Sequence, residues 1–123
     1  MFILKRQGSF KWPVTFSMPV DGLQEECSFE AEFKKLPQSR IYALMKEVQQ
    51  KQRELEEGFG SVDDMSDIEI AKEILVGWDG VSDGENPIPF TKATKHQLLE
   101  EPMLASRLVE VYFEALTEMK TKN

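Results

Sequence analysis

The chain has 123 residues, enough for one hydrophobic core and too few for two. Hydrophobic residues make up 41% and charged ones 30%, and 22 Asp plus Glu against 15 Lys plus Arg give a formal charge of −7. That acidity argues against nucleic-acid binding, where clustered cations neutralise phosphates, and suits a partner that carries basic groups.

The first element predicted with any length is a strand from Phe10 to Val20. Phe10, Trp12, Val14, Phe16, Met18 and Val20 alternate with Lys11, Pro13, Thr15, Ser17 and Pro19, and period two sorts the two sets onto opposite faces. A second run answers it, with Leu23, Cys27, Phe29, Ala31 and Phe33 on one face and Glu25 as the one charge out of phase. Asp21-Gly22 between them tolerates the positive φ angles of a tight hairpin. A two-residue turn then sets Val20 opposite Leu23, Phe16 opposite Cys27, Val14 opposite Phe29 and Trp12 opposite Ala31. In that register the odd residues of the first strand turn their backbone outward. Pro13 and Pro19 therefore demand an edge, because proline has no N–H to give a neighbour. That edge, Pro13, Thr15, Ser17 and Pro19, is the candidate for partner binding or self-association. Phe2–Lys5 leaves room for a third short strand.

Pro37-Gln38-Ser39 turns the chain into a helix whose apolar face is Ile41, Leu44, Met45, Val48 and Leu55, ended by Gly58 and Gly60. Ser61–Ser66 is expected to be a loop. Ser66 and Glu69 have capping-box spacing, with Met65 and Ile70 as the hydrophobic staple. The stretch Ala71–Val81 is predicted to hold the centre of the fold. Ile70, Ala71, Ile74, Leu75 and Trp78 fall on one helical face, Gly77 stops the helix in a left-handed conformation, and the Trp78 ring folds back under the preceding turn. Full burial of that indole removes roughly 150–250 Å² from water, worth about 4–6 kcal/mol as an upper estimate. After a turn-rich run to Pro87, Pro87–Phe90 is extended, Thr91 caps a short helix ending near Glu100, and Pro102 precedes the last helix. Its stripe is Leu104, Leu108, Val111, Ala115 and Met119, widened by Tyr112 and Leu116. The expected fold is α+β, one domain over residues 1–123, with an antiparallel hairpin (about 10–34) followed by about four helices (about 39–120). The expected core is Trp12, Phe16, Phe29, Phe33, Ile74, Leu75, Trp78, Leu108 and Val111.

Chemistry finds few tools in this chain. His96 and Cys27 are the sole histidine and thiol, the first expected on a polar surface and the second on a strand's core face. One cysteine rules out an intrachain disulfide and a thiolate-rich zinc site. Asp79, Asp83 and Glu85 sit in a glycine-rich loop, but a calcium loop would place Val81 and Phe90 at ligand positions. Asp63, Asp64 and Asp67 fit a helix start instead. No Gly-Lys-Ser phosphate loop occurs, and no stretch approaches the roughly 20 apolar residues of a membrane span. Met1–Leu4, followed by Lys5 and Arg6, lacks the order of a signal sequence. The expectation is a non-enzymatic, cofactor-free, metal-free interaction protein of the cytoplasm.

Five stretches in order, KWPVTFSMPVDG (11–22), FEAEFKKLPQSRI (29–41), AKEILVGWDGV (71–81), NPIPFT (86–91) and VYFEAL (111–116), resemble the tail assembly chaperones of long-tailed bacteriophages. The resemblance runs from Trp12 to Lys120. It implies a non-catalytic protein that coats the tape-measure protein, keeps it soluble and yields it to the major tail tube protein. It further implies a ring-like or helical homo-oligomer, made in the host bacterial cytoplasm and absent from the mature virion. A structural head–tail or tail component, or a small hydrolase using paired carboxylates, are the alternatives.

Overall fold

The computed structural model describes residues 8–56 and 66–121. The chain runs β1 (Ser9–Val20), β2 (Leu23–Lys34), α1 (Gln38–Glu56), α2 (Ser66–Ile74), β3 (Leu75–Asp79), α3 (Lys92–Leu99) and α4 (Leu104–Thr121). The architecture is α+β: an antiparallel sheet in the order β1-β2-β3 and four helices among the described residues. None of those helices is long and apolar enough to cross a membrane. The suggested strand at Phe2–Lys5, the loop at Ser61–Met65, the glycines 58 and 60 and the Met65 staple lie outside the described residues.

The hairpin forms in the register its alternation dictates, with Val20 opposite Leu23, Phe16 opposite Cys27, Val14 opposite Phe29 and Trp12 opposite Ala31. Asp21 and Gly22 both take positive φ, +49° and +82°, which matches the turn to the twist of the strands. Among the described residues β1 is an edge strand, in keeping with its prolines. Its base packs on the helices: Val14, Ala31 and Phe33 are fully buried and Phe29 nearly so.

The third strand of the described sheet comes from a stretch expected to be helical. Helix α2 starts at Ser66 and ends at Ile74, and Leu75–Asp79 then pairs antiparallel with Phe33–Glu30. Gly77 is therefore a strand residue, not a left-handed helix stop. It faces Glu32, whose Oε1 lies 2.8 Å and whose Cβ lies 3.3 Å from where a Gly77 Cβ would stand. A methyl there would displace the Glu32 carboxylate and crowd its Cβ, so glycine gives the two strands their closest fit. The helix ends where Leu75 joins β2, and Lys95 Nζ donates at 2.6 Å to the Lys72 carbonyl, one of those a helix end leaves without a partner. Burial holds the Lys95 ammonium below its usual pKa, with the Lys72 charge adding to it.

Trp78 is likewise corrected. It is half-buried on β3, beside Ala31, and Ala31 in turn pairs with Trp12, so an alanine separates two indoles in one row across the sheet. Trp78 Nε1 donates to the Ile88 carbonyl at 2.8 Å, and the ring meets Phe90 edge-on at 4.8 Å. The extended 87–90 segment is thus strapped over the indole.

The ring at the centre of the core is Tyr112, fully buried on α4. It packs edge-on against Phe33 at 5.4 Å, stacks on Phe10 at 6.0 Å, and donates its hydroxyl to the Lys34 carbonyl at 2.9 Å. Around it lie Ile74, Leu75, Leu104, Leu108, Val111 and Ala115, all buried. The predicted Thr91 cap is present: its side chain accepts from the Thr94 N–H, and the Thr94 side chain bonds back to the Thr91 backbone. Helix α1 seats Ile41 and Leu44 in the core but leaves Met45 41% exposed, so its apolar stripe is narrower than its sequence suggests. Arg40 adds a two-pronged bond to Glu73, at 2.9 and 2.7 Å.

Two substitutions test this arrangement by urea unfolding. Tyr112→Phe keeps the ring and loses one buried hydrogen bond, for a cost of about 1 kcal/mol, whereas Tyr112→Ala should cost about 3–5 kcal/mol. Gly77→Ala should cost about 1–3 kcal/mol by overpacking against Glu32; an unchanged midpoint would mean the β2–β3 contact is looser than described.

Candidate partner-binding site

The outward edge of β1 and the start of α4 together form a concavity. Thr15, Phe16 and Ser17 make one wall, and Pro102, Met103, Leu104, Ser106, Arg107 and Glu110 the other, around about 470 Å³. Each wall follows from local sequence. Even-numbered β1 residues spend their backbone groups on β2, which leaves the Thr15 and Ser17 groups facing out. Pro102 cannot continue the preceding turn, and Met103 takes φ +68° before α4 begins. A methionine in the left-handed region is strained, and this one is 80% exposed. Its carbonyl accepts from the Arg107 N–H and the Ser106 hydroxyl, so Met103 opens the helix.

Of the four predicted edge residues, Pro13 and Pro19 present no donor. Thr15 is already occupied, because Arg107 Nε donates to its carbonyl at 2.8 Å, across 92 positions of sequence. Arg107 is itself held by Glu110 and, at 3.9 Å, Glu114. The edge is therefore guarded at three of its four positions, and Ser17 is the one left with both outward backbone groups. Sequence reasoning missed Arg107 and Met103, since nothing local marks a side chain that reaches a strand so far away.

The predicted core residues divide by position. Phe29, Phe33, Ile74, Leu75, Leu108 and Val111 are buried, while Trp12, Phe16 and Trp78 are only partly so. Cys27 is also half-buried, on the apolar face of β2. His96 is exposed on α3 within 3.7 Å of Glu100. The Asp83 carboxylate accepts the N–H groups of Glu85 and Asn86, both at 2.9 Å, so its task is to fold its own loop. Asp63 and Asp64 fall outside the described residues, and among the described ones no group of three or more His, Cys, Asp or Glu gathers as a metal would need.

Two carboxylates have pKa values held down. For Glu73 the causes are the Arg40 hydrogen bond and charge, against a burial penalty; for Asp83 they are the backbone donors of Asn86 and Glu85. Both prefer the ionised form when folded. Their stabilisation is present above the ordinary carboxylate pKa and is lost as pH falls through the depressed values, below about pH 4. A Glu73→Gln, Asp83→Asn double variant should be less stable at neutral pH yet lose less on acidification. Met103→Gly should gain about 0.5–1 kcal/mol by relieving the left-handed methionine; a loss measured in urea would mean that its side chain is held by contacts beyond those described.

No curated protein and no solved structure matches the chain. Residues 34–122 match the family model described as the YdaY prophage protein, a segment that takes in well over half the chain, from the last residue of β2 through α4. The chain belongs to the YdaY prophage protein family and is of phage derivation.

Proposed function

We propose that this phage protein is a non-catalytic tail assembly chaperone, one that coats the tape-measure protein, keeps it soluble and yields it to tail tube subunits as they polymerise. The observation that carries the reading is a prophage family membership combined with an acidic chain whose hairpin presents apolar side chains to solvent. A tape-measure protein is long and helical, so many weak contacts by repeated copies suit it better than one strong contact. The chaperone therefore works as a ring-like or helical oligomer in the host cytoplasm and leaves before the virion is complete.

Co-expression with the neighbouring tape-measure gene product tests this directly. A pull-down should recover both chains, and the tape-measure protein should precipitate when expressed alone. Proteomics of purified particles should lack this chain; its presence there would make it a virion component instead. Light scattering that stays monomeric over a wide concentration range would remove the oligomer.

A further inference from the structure

The inner face of the β1–β2 hairpin is a ladder of paired side chains: Trp12 with Ala31, Val14 with Phe29, Phe16 with Cys27, Met18 with Glu25 and Val20 with Leu23. β3 pairs with β2 only from Glu30 to Phe33, so the outer rows belong to a two-stranded ribbon. Burial fades along it, from Val14 at 0% exposure to Val20 at 43% and Leu23 at 73%. Met103 stands on the wall facing Phe16 across the groove. Such a ribbon is marginal in water on its own, and its outermost row, Val20 with Leu23, is exposed rather than packed into this chain's core. The strip from Phe16 to Val20 is about 14 Å long and two strands, about 10 Å, wide. Those dimensions fit one helix of roughly ten residues.

Charge selects the occupant. On this face and at its turn the ribbon carries Glu25 and Asp21 and no Lys, Arg or His, while Glu26, Glu30 and Glu32 fall on the opposite face. Arg107, which lines the groove beside Phe16, is already held by Glu110 and Glu114. Glu25 stands inside the apolar strip, beside Met18. A second copy would bring like-charged ribbons together, each on a chain of formal charge −7. Strand addition along β1 is obstructed by Pro13, Pro19 and the Arg107 bond to Thr15. We infer that the outer half of this hairpin, with Met103, is a docking surface for a basic amphipathic helix of another protein. Phe16, Val20, Leu23 and Met103 take the helix's apolar stripe, and Glu25 pairs with a flanking Lys or Arg. The surface and the partner's chemistry go beyond the proposed function and hold whichever protein supplies the helix.

The test is fluorescence anisotropy with a labelled 18-residue Leu/Lys amphipathic helix, its Leu/Glu counterpart and a Leu/Lys scramble that lacks an apolar face. The Leu/Lys helix should bind, more weakly as salt rises, and the other two should bind at least about tenfold less. Val20→Ser with Leu23→Ser should weaken binding roughly tenfold, and Glu25→Lys should weaken it and reduce its salt dependence. Met103→Gly, which suits the backbone there, should weaken binding while the circular dichroism and melting curve hold or improve. Equal binding of helix and scramble, or variants that bind like the parent, would overturn the proposal. So would sedimentation showing a self-associated species that the Val20, Leu23 variant abolishes, since the occupant would then be a second copy. A failed tape-measure pull-down alongside specific peptide binding counts against the chaperone role alone.

Discussion

The hydroxyl of Tyr112 on the Lys34 carbonyl, with its ring between Phe10 and Phe33, fastens the last helix to the base of the sheet. Everything else depends on that joint. It seats α4 under the strands, which buries Leu108 and Val111 and gives α2 a surface to pack on. It also fixes where α4 begins, and so brings Met103 and Arg107 beside the edge of β1. A phenol pays for its place in a core only if the hydroxyl finds a partner, and a carbonyl at the end of β2 provides one. The ordinary pKa of that phenol is raised, chiefly by its burial.

The hairpin was legible because its signals agree. Strict alternation, a turn pair suited to positive φ and prolines on one parity all select the same register, which is the register observed. The Leu75–Asp79 strand was not legible, for a reason that lies in a single residue. Between Phe33 and Glu32 the pairing slips by one, and Val76 is the extra residue of the bulge. That insertion places Leu75 and Trp78 on the same face three positions apart, a spacing indistinguishable from a helix. What makes the segment a strand is β2, more than forty positions earlier, and no local window holds both.

The edge shows the same division between local and distant causes. Its prolines could be read from the chain, and β1 is indeed the outer strand. The arginine that occupies Thr15 could not, because its reach depends on how α4 is seated. Periodicity also says which face of a strand is apolar without saying how far the cover extends. Phe16, Met18, Val20 and Leu23 carry the pattern of a core face outward, from half-buried Phe16 and Met18 to exposed Val20 and Leu23. A sequence that hides grease at one end of a ribbon and shows it at the other looks uniform when written out.

Trp12 and Trp78 are the chain's two tryptophans, and both flank Ala31 in one row of the sheet. Intrinsic emission from this protein is therefore a reporter of a single place, the junction where the three strands meet. Far-ultraviolet dichroism instead weighs the helices, above all α1 and α4. Followed together during denaturation, the two signals separate the parting of the strands from the unwinding of the helices, with no label attached and no residue exchanged.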